Sequence, residues 1–168
     1  MPKIDQRLID ETWQRIRRYD TGTAVAEAQR FAREQPAVLR FTREFLREFD
    51  EGAQGTALGL VYLLFQVVEA ARREPLPSLS PRQIEEGYAI NAEWLDALDR
   101  IESGPPERWQ DHLPRSPAAL YILQAYSPPQ EKKGLLNSRV KAHLLILLKT
   151  LLEALEEGEE RQGPMEER

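Results

Sequence analysis

A chain of 168 residues with 41% apolar and 30% charged side chains has the length and composition of one globular domain with a sizeable core. Having no cysteine, it can form no disulfide, thiolate metal site or Cys nucleophile, and two histidines leave little for metal or general-base chemistry. The net charge is −5 and the one basic island is short (Lys132, Lys133, Arg139, Lys141 and Lys149), which argues against nucleic acid as a partner.

The first residues, MPKIDQRLIDETW, are charged from position 3 and lack an apolar segment, so no secretory signal is expected. Ile4, Leu8, Ile9, Trp13 and Ile16 recur at helical spacing and predict an amphipathic helix to Tyr19. Thr23 is the expected cap of a second helix to Glu34, burying Val25, Ala28, Phe31 and Ala32. Pro36 opens a third, where its missing N–H costs nothing. Leu39, Phe41, Phe45, Leu46 and Phe49 face inward there. The arginines between 30 and 47 alternate with acids and read as a solvated face.

Gly52 to Val68 is the longest run without a charge and is apolar on most sides of a helical wheel, the pattern of a buried central helix. It carries Gln54, Thr56 and Gln66 and falls short of the roughly 20 apolar residues of a membrane span. A cytoplasmic protein without membrane contact is therefore expected. Two prolines at 75 and 77 make a loop, and Ser80-Pro-Arg-Gln83 is a capping-box pattern opening a helix to about Glu102. Tyr88, Asn91, Trp94, Leu95 and Leu98 share its inner stripe. Glu107–Leu113 reads as a single turn with Trp109 as a plug, and Pro117 starts a short helix to Tyr126. Ser127–Gly134 is a loop expected to be mobile. Ala142–Leu155 is the second strongly apolar stretch, within a last helix from about Asn137 to Glu157. The expected domain is 1–157, followed by a charged, disordered tail at 158–168.

Pro36-Ala-Val-Leu and Pro117-Ala-Ala-Leu match at an offset of 81, and Val61–Ala70 lies over Leu145–Ala154 at an offset of 84. The predicted fold is all-α: a single-domain bundle of six to seven helices, with two pseudo-symmetric three-helix halves around two apolar central helices.

Gly55, Gly59, Tyr62, Gln66, Glu69 and Arg73 fall on one stripe of the central helix. Either the glycines permit close helix packing, the favoured reading, or the stripe lines a groove in which Tyr62, Gln66 and Glu69 meet a ligand. Asn91 is read first as a buried hydrogen-bond node and His143 as a structural histidine; both join the ligand-site candidates if an internal pocket exists. Glu69 and Glu153 are equivalent in the duplication but lack the Glu-x-x-His of carboxylate-bridged metal sites, so no metal is expected. Neither a phosphate loop nor a dinucleotide fingerprint occurs, and no cofactor is expected. The leading functional expectation is a non-catalytic protein acting through protein–protein contact, with a homodimer through Ala142–Leu155. The alternative is a ligand-binding or catalytic bundle with a pocket near Tyr62, Gln66 and Glu69. A dry seam at Gly55–Gly59 favours the first, and an open cavity reaching Tyr62 and Gln66 the second.

Overall fold

The computed structural model describes residues 3–101, 117–125 and 138–162; the expected Trp109 turn, His112 and the 127–134 loop lie outside them. Among the described residues there are seven helices and no strand: α1 (Gln6–Arg17), α2 (Thr21–Glu34), α3 (Pro36–Phe45), α4 (Glu51–Arg72), α5 (Pro81–Ile101), α6 (Pro117–Ala125) and α7 (Ser138–Gln162). The chain is an all-α bundle.

Side-chain oxygens set most of the helix starts, since the first turn's N–H groups have no partner within the helix. Asp5, Asp20 and Asp50 each accept a backbone N–H three residues on, at 2.9, 2.7 and 2.8 Å. The cap of α2 is thus Asp20, not Thr23, whose N–H is the donor. A carboxylate already in extended backbone outcompetes a hydroxyl that the helix has absorbed. At α5 the capping box is complete: the Gln83 N–H donates to Ser80 Oγ, and the Ser80 N–H donates to Gln83 Oε1. The loop between α4 and α5 is held by buried Gln35, whose amide donates to Pro77 O and accepts from the Leu79 N–H.

The two apolar helices, α4 and α7, pack against each other at the centre. Leu60, Leu63 and Leu64 of α4 are fully buried, as are Leu144, Leu147, Leu148 and Leu151 of α7. Although α4 is long and apolar enough to cross a membrane, it is mostly covered by its neighbours. Trp13, Leu39, Phe45 and Leu95, expected in the core, are half-buried around its edge; Leu98's side chain lies outside the description. Ile9, Val38, Leu46 and Ile84 are the residues that close it. The apolar run of α7 is covered by α3, α4, α5 and α6 of the same chain. Leu144 to Leu148 are at most 5% exposed, so the expected twofold contact has no bare apolar surface here to use. The α7 helix also continues into the segment expected as tail, and Gly158 is buried against Gln83 of α5.

Setting α2 aside, the contacts map onto themselves when α1 is exchanged with α5, α3 with α6 and α4 with α7. Then α1 packs on α4 and α6 as α5 packs on α7 and α3, while α3 packs on α4 and α7 as α6 packs on α7 and α4. Burial follows the same exchange. Aligning the N-caps Asp5 and Ser80 brings buried Ile9 over Ile84, buried Thr12 over Gly87, and half-buried Trp13 and Tyr19 over Tyr88 and Trp94. Val38 and Ala119 are the fully buried pair in the short Pro-started helices. These features support the duplication read from the sequence and single out α2 as an addition. Its main backbone contact is with α3, and Phe31 is its only buried residue; Val25, Ala28 and Ala32, expected to be buried with it, are exposed.

Candidate functional site

The equivalent seams α1–α4 and α5–α7 carry equivalent polar residues: Gln66 and Glu69 in the first, Thr150 and Glu153 in the second. In the second, Gly87 lets the helices close. A Cβ there would stand 3.0 Å from the Thr150 carbonyl oxygen and 3.8 Å from the Ala154 Cβ. One turn on, the fully buried Asn91 amide donates to Gly87 O, Thr150 Oγ1 and Glu153 Oε2, and its oxygen accepts from Lys149 Nζ at 2.9 Å. Lys149 also pairs with Glu153. Every partner in this ring is supplied by the two helices themselves. Asn91 is therefore the hydrogen-bond node expected as its first reading.

The first seam is open. A cleft of about 580 Å³ runs between α1 and α4, lined by Thr12, Arg15, Gln66, Glu69, Arg73 and, from α2, Arg30. Arg15 donates to Gln66 Oε1 at 3.3 Å and Gln66 donates onward to Glu69 Oε2 at 3.3 Å. Arg73 sits in the left-handed region at φ 58°, a position that favours glycine, where the turn ending α4 directs it to the cleft edge.

Behind Arg30 lies a second space. Because α2 meets α4 through the Phe31 ring, set edge-on to Tyr62 and Phe65 at 5.6 and 5.3 Å, its backbone stands off. An apolar hollow of about 400 Å³ remains between α1, α2, α3 and α4, reaching Gly59 and Tyr62. The partition between cleft and hollow is a chain of hydrogen bonds. The Arg30 guanidinium grips the Glu27 carboxylate, with the closest contact at 2.7 Å, and also pairs with Glu34 at 3.0 Å. Tyr62 Oη donates to Glu27 Oε2 at 2.8 Å and, its proton so used, accepts from Tyr19 Oη at 3.0 Å. The Arg30 hydrogen bond holds the Glu27 carboxyl below its ordinary range, against burial, and Tyr62 adds to the effect. Burial, more than the bonds to Tyr19 and Glu27, pushes the Tyr62 phenol well above the ordinary tyrosine value. Tyr62 thus keeps its proton at neutral pH and serves as a fixed donor.

Of the five residues that the sequence nominated, Tyr62, Gln66 and Glu69 come together at these two spaces. Asn91 is in the closed seam, and His143 stands edge-on to Phe49 with ring centroids 5.1 Å apart. Glu69 and Glu153 have separate surroundings, and among the described residues no three His, Asp or Glu side chains cluster as metal ligands would. Sequence reasoning missed Arg15, Tyr19, Glu27, Arg30 and Arg43. Glu27 and Arg30 at i, i+3 have the spacing of an ordinary surface pair, and only the standoff of α2 turns them into an internal wall. The stripe was assigned to close packing, yet a Cβ at Gly55 would find nothing within 4 Å, and Gly59 lines the hollow.

No family model, curated protein or solved structure matches this chain.

Proposed function

We propose that this chain is a small-molecule-binding bundle whose site is the pair of spaces between α1, α2, α3 and α4. The observation that carries the reading is the contrast between equivalent seams: the α5–α7 seam is shut on a saturated polar ring, while the α1–α4 seam stands open at matching positions. A cavity of a few hundred Å³ with apolar walls and a few fixed polar groups is the usual form of a ligand site. Tyr62, its proton held on Glu27, supplies a fixed polar edge to the hollow, and Gln66 and Glu69 supply polar groups on the cleft side. Protein–protein contact has less support. Among the described residues the large exposed apolar side chains are Val25, Ile90 and Tyr121, on three different helices.

The test is titration of the purified chain with a neutral apolar fluorescent probe, N-phenyl-1-naphthylamine. Saturable binding of one probe per chain is expected, with a blue-shifted emission. Gly59→Leu, which places a side chain in the hollow, should abolish it, whereas Gly55→Ala, on the exposed face, should not. Non-saturable emission, or equal binding by the Gly59→Leu protein with its native helical signal intact, overturns the proposal.

A further inference from the structure

Resting on that reading, we infer that the hollow beside Tyr62 takes an aliphatic monocarboxylate, with its chain against the apolar walls and its carboxylate on Arg43. The hollow is walled by Ile16, Phe31, Leu39 and Leu58, with Gly59 leaving the room that a side chain would fill. Its roughly 400 Å³ lies at the small end of ligand pockets, which suits a medium-length chain with its head group.

The sign of the head group follows from the two charged side chains that line the space, Glu27 and Arg43. Glu27 is already answered: Arg30 grips it, Tyr62 donates to it, and Arg15 adds a favourable field. A cationic ligand would have to displace Arg30 from a pairing in which three guanidinium–carboxylate contacts lie within 3.3 Å. Arg43 is different. It is exposed, and among the described residues it makes no ion pair. The unpaired charge lining the hollow is therefore positive and sits at the solvent side, while the interior is apolar with a neutral phenol. An amphipathic anion meets both halves of that arrangement, and the guanidinium fork suits a carboxylate.

The experiment is displacement of bound N-phenyl-1-naphthylamine by decanoate, decanol and decylamine, each below its micelle concentration, from the wild type and from Arg43→Gln. Decanoate should displace the probe from the wild type at lower concentration than decylamine. Arg43→Gln should weaken decanoate by about fivefold, the upper worth of a solvent-exposed ion pair. Decanol and the probe itself should be unaffected by the substitution. A preference for decylamine, or no effect of Arg43→Gln on decanoate, overturns the carboxylate assignment while the binding reading stands. Failure of the probe to bind the wild type overturns the binding reading and this assignment with it.

Discussion

The two halves of the bundle put glycine to opposite uses. Gly87 on α5 brings its helix so close to α7 that a single added carbon would touch the Thr150 carbonyl. Gly59 on α4 lines a hollow instead, because the helix across from it, α2, stands off on the Phe31 ring. The polar groups diverge in the same way. In the α5–α7 seam, Asn91, Lys149, Thr150 and Glu153 satisfy one another. In the α1–α4 seam, Gln66 and Glu69 line an open cleft and Arg15 reaches across to them. A glycine therefore marks a tight seam only where its neighbour can come down on it, and a polar cluster is structural where its own helices saturate it. The duplicated framework leaves one half to hold the fold and the other free to carry a site.

The largest effect that should separate the halves is Gly87→Leu. With a backbone oxygen 3.0 Å from the Cβ position and no flexible neighbour to yield, overpacking should cost about 3 kcal/mol. Urea denaturation checks it, and a loss under about 1 kcal/mol would mean that the seam can open. Next is Asn91→Ala, which leaves Lys149 Nζ and Glu153 short of a partner and should cost about 2 kcal/mol. Arg15→Ala, its counterpart on the open side, should stay within about 0.5 kcal/mol because Arg15 is exposed. Equal losses from the two would dissolve the distinction between closed and open seams.

Tyr62→Phe should cost about 1 kcal/mol at pH 7 by removing the bonds to Glu27 and Tyr19. The sign of its pH dependence is fixed. A phenol whose folded value is raised contributes stability that is fully present below pH 10, its ordinary value, and is lost as pH climbs above it. The gap between wild type and Tyr62→Phe should thus shrink in alkali, and a gap that does not change with pH would place the tyrosine in water. Glu27 works in the other direction. Its lowered value gives stability present above pH 4.5 and lost as acid titrates the folded carboxylate, a loss that Glu27→Gln should not share.

The smallest effect is a gain. Gly55→Ala adds a methyl group to open space and removes a flexible residue from a helix, so it should stabilise by up to about 1 kcal/mol. Thermal melts of the Gly55→Ala and Gly87→Ala proteins should then move in opposite directions. A shared direction would mean that helix propensity alone governs both positions.

Local patterns were enough to place the helices. The Ser80–Gln83 box, Pro36 and Pro117 at helix starts and the apolar faces of α4 and α7 appear where residue chemistry alone puts them. The duplication was legible as well, since the offsets of 81 and 84 in the sequence join the helices that exchange in the contacts. At the site, Tyr62, Gln66 and Glu69 were legible because they share one stripe of a helix that is otherwise apolar. Arg15, Glu27, Arg30 and Arg43 were not, because surface-type charges at helical spacing look the same whether they face water or wall a cavity.

The sequence by itself determined that the chain is helical and that two apolar helices lie at the centre, because caps, prolines and periodicity act within a few residues. Only the tertiary structure decided that α7 is covered within its own chain, that Gly87 rather than Gly55 is the close approach, and that α2 stands away from α4 to leave a hollow. Those outcomes depend on the distance between helices far apart in the chain, which is set by the side chains that meet there.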